Sequence, residues 1–371
     1  MKRAVPVLAV WILVAEIFIC LSARAQTVLH NQVVNTPNGE VFGLFEVTGG
    51  VVTPVPTGLV THNFPSLSSD GRFISISAPD PQFPDEASDD FWEFDRFTQQ
   101  TRKVIDSETM TQPDGSIFFS SPLFSALSPD NQLIAVATQL GAVPGGGLPR
   151  TLTVHRASDG FNVSLAEIGN GSAIDFFQSE FLGISWSPDG TVFASPAYVN
   201  VITNTGRQTV AAGIVLFGFD PATLTYIRVG QVTTPQVIDT PAPGIIIETH
   251  ALPVFSPDGQ RLAFFSITYP DPFLVEPATA ELWTINADGT NRTSLLQFDP
   301  GFYPVGLSWT SDGNQLVFSI AEQVQNNGFH SPLPVPSTAV LRLISASGGI
   351  PSPIAGAPAG FFPNVVPIRE R

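Results

Sequence analysis

Two of the five histidines, His62 and His250, stand eight residues ahead of aspartates that belong to the same recurring pattern, Asp70 and Asp258. Imidazoles placed near carboxylates can act as acid and base or hold a divalent cation. Acids are spaced to join them. Glu180 and Glu248 lie just ahead of apolar runs, Asp80, Asp85, Glu86, Asp89 and Asp90 crowd one insertion, and His330 lies in another. If those segments share one rim, then His62, Glu180, Glu248, His250 and His330 form a candidate binding set, and a divalent ion is a possible occupant. The plainer reading is histidines bonded to neighbouring backbone within a solvated acidic surface. No residue is assigned as catalytic, and no metal ligand set is assigned.

Other chemistries are excluded more directly. The chain has one cysteine, Cys20, inside an N-terminal segment with Lys2 and Arg3 ahead of an apolar stretch, Ala4 to Leu21, and Ala23-Arg24-Ala25 behind it. That order predicts a signal peptide over residues 1–25 with cleavage before Gln26, and Pro6 and Glu16 interrupt the stretch as a membrane anchor. The expected exported domain, residues 26–371, has no thiol, no disulfide and a single lysine, Lys103. A periplasmic or secreted location follows, with no membrane insertion after cleavage. Sixteen Lys and Arg against 32 Asp and Glu give a formal charge of −16, which argues against nucleic acid or an anionic surface as partner.

The elements that must position these residues come from one repeat. It reads Ser68-Ser69-Asp70-Gly71, Ser128-Pro129-Asp130-Asn131, Ser187-Pro188-Asp189-Gly190, Ser256-Pro257-Asp258-Gly259 and Thr310-Ser311-Asp312-Gly313, each between two apolar runs. Asp caps a turn through its side chain and Gly or Asn accepts positive φ, so Asp70, Asp130, Asp189, Asp258 and Asp312 are structural turn residues joining hairpin strands. Two further strands follow in each unit, as at Phe91 to Asp95 and Glu281 to Ile285, which makes a four-stranded antiparallel blade. At the ends, Thr27 to Val34, Val41 to Val47 and Val51 to Val55 supply three strands of a sixth blade and Phe362 to Ile368 the fourth. The expected fold is all-β, a six-bladed β-propeller closed by its own termini.

These five units, with Trp186, Phe255 and Trp309 ahead of the turn, resemble the WD40-like β-propeller repeat of the TolB family over about Val41 to Ile368. The family's α/β domain ahead of the propeller has no counterpart in the few residues before the first blade strand. Similar propellers cap prolyl oligopeptidases, but Gly183-Ile184-Ser185-Trp186-Ser187 lacks the closing glycine of a serine nucleophile elbow. The resemblance implies a bacterial envelope protein. The expected role is a monomeric, non-enzymatic module for a protein or peptide ligand. The alternative is a propeller enzyme, of lactonase or carbohydrate lyase type, with a divalent metal at the channel mouth.

Overall fold

The computed structural model describes residues 26–37, 39–60, 63–83, 89–107, 109–111, 117–143, 146–168, 183–240, 244–269, 279–324, 333–334, 336–357 and 360–367. The repeated turn explains how each blade starts. In the fourth blade Ser187 Oγ donates to Asp189 Oδ1 at 2.6 Å, and the same oxygen accepts from the Thr191 amide at 3.1 Å. Ser187 Oγ in turn accepts from the Val192 amide, while Gly190 sits at φ 71°. Asp70, Asp130, Asp258 and Asp312 make the same bonds with Ser68, Ser128, Ser256 and Thr310. The glycine has a second reason: a Cβ at Gly259 would stand 3.2 Å from Cδ of Pro188 in the preceding blade. The proline of one turn thus seats on the glycine of the next.

Six antiparallel sheets result. From the axis outward, blade 1 is Phe361–Val366, Thr27–Thr36, Gly39–Thr48 and Val51–Pro54, and blade 2 is Asn63–Leu67, Phe73–Ala78, Asp90–Asp95 and Gln100–Ile105. Blade 3 is Ile117–Leu127, Leu133–Val143, Gly146–Arg156 and Asn162–Ile168, and blade 4 is Ser185–Trp186, Val192–Ile202, Gln208–Asp220 and Thr225–Gln231. Blade 5 is Gly244–Phe255, Arg261–Tyr269, Thr279–Asn286 and Thr293–Gln297, and blade 6 is Phe302–Trp309, Gln315–Val324, Val340–Ser345 and Ser352–Pro353. Blade 1 joins both ends of the chain in register, Val28 opposite Val365. Short strands Thr109–Thr111 and Val237–Thr240 pair with the long inner strands of blades 3 and 5, additions the repeat did not reveal.

Burial between blades supplies the main driving force. Second strands such as Arg261–Tyr269 are buried on both faces, because each blade is sandwiched by two others. Phe193 and Phe217 are fully buried and stacked at 5.3 Å, and each such ring contributes about 2 to 3 kcal/mol. The seams are also pinned near the axis. In order around the ring these bonds are Asn364 Nδ2 to Pro65 O, Ser75 Oγ with Ser125 Oγ, Trp186 Nε1 to Ala126 O, Phe255 N to Ser185 Oγ, Trp309 Nε1 to Val254 O, and Val365 N to Ser308 Oγ, all 2.8 to 3.1 Å. Every seam carries one. Among the described residues no helix is long and apolar enough to cross a membrane.

The axis narrows at one level. The residue six before each turn aspartate is Phe64, Phe124, Gly183, Leu252 or Gly306, and in blade 1 the matching residue is Phe362. The rings of Phe64, Phe124 and Phe362 lie 4.7, 5.0 and 6.2 Å apart although they come from three blades, so they meet close to the axis. Gly183 and Gly306 make room: a Cβ on either would come within 2.7 Å of Cα of Leu252 or Phe362. Around the ring the order is Phe362, Phe64, Phe124, Gly183, Leu252 and Gly306, and Phe64, Leu252 and Phe362 take positive φ values of 46°, 53° and 50° to place their side chains in the waist.

Candidate binding site

Below that waist, toward the turns, the six inner strands enclose a cup of about 460 Å³. Ligand pockets commonly span this size. Each blade contributes equivalent positions. Ser66, Ala126, Ser185, Val254, Ser308 and Asn364 line its depth, and Ser69, Pro129, Pro188, Pro257, Ser311 and Pro367 ring its mouth. Among the described residues, none of the lining side chains is ionisable. Trp186 and Trp309 stand in the wall with their indole N–H groups spent on neighbouring carbonyls, which fixes them in place. The cup therefore offers apolar ring edges, hydroxyls and one amide to a neutral guest. It opens on the face that carries the turns, whereas the sequence directed attention to the opposite face, where inner strands begin.

The residues proposed from sequence are dispersed. His62, Glu180 and His330, with Asp85 and Glu86, lie outside the described residues. His250 differs from its expected place: it is fully buried, not on an open rim. The reason is strand length. The inner strand of blade 5 starts at Gly244, so a residue eight before Asp258 falls within the strand, whereas in blade 2 the strand starts at Asn63.

Glu248 and His250 instead form a buried seam between blades 4 and 5. His250 Nε2 donates to Glu248 Oε1 at 3.0 Å, and its Nδ1 accepts from Thr233 Oγ at 2.7 Å. Thr233 Oγ accepts from the Ile214 amide of blade 4. Glu248 also accepts from Ser266 Oγ at 2.6 Å, Arg292 Nη2 at 2.7 Å and the Gln236 amide at 2.7 Å. Burial opposes charge on Glu248, but these donors outweigh it and hold the carboxyl well below the usual range. Burial pushes His250 down, leaving a neutral imidazole. Arg292 completes the cluster by stacking over Trp283 at 4.2 Å. With four donors on the carboxylate and both ring nitrogens engaged, this pair does not fit a divalent ion.

The acidic insertion of blade 2 has a cation that the sequence reading did not connect to it. Lys103 Nζ lies 2.5 Å from Asp80, 2.9 Å from Asp90 and 2.7 Å from Asp106. The ammonium holds Asp80 below the ordinary carboxylate value. Lys103 is one of only two lysines in the chain, and that scarcity was the available signal. Among the described residues no three His, Cys, Asp or Glu side chains gather as a metal-binding group.

Fold and site together define a six-bladed β-propeller with an axial cup whose described lining is uncharged. No protein-family model and no curated protein matches the chain. Among solved structures it is similar to the periplasmic gluconolactonase PpgL of Pseudomonas aeruginosa, at 11% identity over 93% of this chain and 99% of that one, TM-score 0.46. A protein of Agrobacterium tumefaciens assigned as TolB gives 14% identity, the same two coverages and TM-score 0.45. TolB of Acinetobacter baumannii gives 13% identity over 95% and 86%, TM-score 0.34. At such identities the likeness extends to the propeller fold alone.

Proposed function

We propose that this propeller is an exported binding module of the bacterial envelope that receives a neutral segment of a protein or peptide in its axial cup. The observation that carries the reading is the contrast between the cup and the ionisable clusters. Among the described residues the cavity shared by all six blades has no acid, base or cation in its wall, while Glu248 and His250 are consumed in a network that joins blades 4 and 5, and Asp80 and Lys103 in an ion pair within blade 2. Acid–base catalysis needs a titratable group within reach of the guest, and the cup supplies shape and hydrogen bonds instead. A photo-crosslinking amino acid at Ser311, on the mouth, tests this in the producing cell: a protein adduct is expected, and its loss on adding Ser66→Phe, which fills the cup. Absence of any protein adduct refutes the reading. The competing metal-dependent enzyme would show itself as one tightly held divalent ion per chain, lost in His62→Ala.

A further inference from the structure

The face around the cup displays a second, concentric feature. Strands alternate in direction, so the turn between the third and fourth strands of each blade returns to the same face as the Ser-Pro-Asp-Gly turns. At or beside that turn five of the six blades expose a large apolar residue. These are Val51 in blade 1, Phe97 in blade 2, Phe161 in blade 3, Phe219 and Leu224 in blade 4, and Ile350 in blade 6, between 45% and 96% exposed. Blade 5 alone has a polar turn, Asp288 to Asn291. A single exposed phenylalanine needs no explanation, but recurrence at one structural position around a ring does.

Charge on this face identifies what covers it. Inside the apolar ring, next to the cup mouth, stand Asp70, Asp130, Asp189, Asp258 and Asp312. Of the nearby arginines, Arg72 pairs with Asp95 and lies over Phe97, Arg96 pairs with Glu46, and Arg156 pairs with Asp159 and lies over Phe161, each pair within 2.6 Å. Arg261 stacks over Trp309 beside Asp258, so the five turn aspartates still outnumber the cations among them. The face is thus acidic within and apolar without. A second copy of the chain would set acid against acid, and an anionic bilayer would meet the same repulsion. A protein surface mixing apolar side chains with Lys or Arg satisfies both rings.

We infer that the turn-bearing face is a docking surface for a partner protein whose contact area combines apolar side chains with lysine or arginine. The inference rests on the reading of the cup as a protein-binding site and adds where the body of the partner sits and what it is made of. It is tested in the producing cell by placing a photo-crosslinking residue at Phe97, Phe161, Leu224 or Ile350, with Ile202 on the opposite face as control, and mapping the attached peptides by mass spectrometry. The expected result is one protein reached from at least three of the four positions, through peptides in which Lys and Arg outnumber Asp and Glu, and not reached from Ile202. With the probe at Leu224, the combined Phe97→Ser, Phe161→Ser and Ile350→Ser substitutions lower its yield by about tenfold or more. These positions are exposed, and an unchanged thermal midpoint verifies the fold. Adducts to lipid, to a second copy or to an acidic surface, or no adducts from the four positions, overturn the inference. If Ser311 still captures a protein while the four do not, the cup reading stands and the docking surface falls; if none captures one, both fall.

Discussion

Thr233 and His250 join two blades through a 2.7 Å hydrogen bond between hydroxyl and imidazole, deep in a seam with no exposed histidine surface. The hydroxyl accepts from Ile214 of one blade and donates into the next, so its single oxygen bridges them. Thr233→Val keeps the volume and strands both partners; a loss of about 1 to 3 kcal/mol in urea unfolding is expected. Glu248→Leu removes the acceptor shared by His250, Ser266 and Arg292 and costs more, on the order of 3 to 5 kcal/mol.

Acid sensitivity follows from the same burial. His30, His155 and His250 are all pushed below the ordinary histidine value by burial. The unfolded chain then takes protons near 6.5 while the folded one does not, so stability is full above that pH and declines as pH falls through it. Urea midpoints at pH 7.5 and pH 5.5 measure the slope. His155→Gln should flatten it, whatever its effect at pH 7.5.

A second acidic transition belongs to Asp95, which Arg72 holds at a pKa of about 2. The contribution of this pair is complete above the ordinary 3.8 and disappears as pH falls from there toward 2. Arg72→Gln should raise the pH midpoint of acid unfolding, followed by tryptophan fluorescence.

Gly306 tests the waist. An added Cβ would stand 2.4 Å from Cδ of Pro363 and 2.7 Å from Cα of Phe362, both in the blade that closes the ring. Gly306→Ala should cost about 1 to 3 kcal/mol by forcing that seam apart. Gly206→Ala, at a φ of 85° but with open space around its Cβ, carries only backbone strain of about 1 to 2 kcal/mol. Thermal unfolding of the two variants separates crowding from strain.

How far such features could be read without coordinates depends on the range over which each is determined. The Asp189 turn is complete within six residues, from Ser187 to Val192, so its chemistry shows in the sequence, and its five copies together with the terminal strands fix the blade count at six. The shared terminal blade was legible because Phe361–Val366 lacked any local partner. His250 was misplaced because its surroundings depend on how early one inner strand begins, which the eight-residue spacing does not encode. The cup was invisible for a different reason. Ser66, Ala126, Ser185, Val254, Ser308 and Asn364 share a position but mix small apolar and polar residues without a motif, so only the assembled ring shows them as one wall.

The closing strand has a consequence for how the molecule is made. Because Phe361–Val366 must pair with Thr27–Thr36, a ribosome has to deliver nearly the whole polypeptide before the ring can shut. Until then the nascent arc keeps an open strand edge beside Val28 and an uncovered apolar face on the most recently emerged blade, and both invite stray contacts. Maturation of this protein is therefore a single late event, and a chain cut short before residue 361 would remain an unfinished arc open to aggregation.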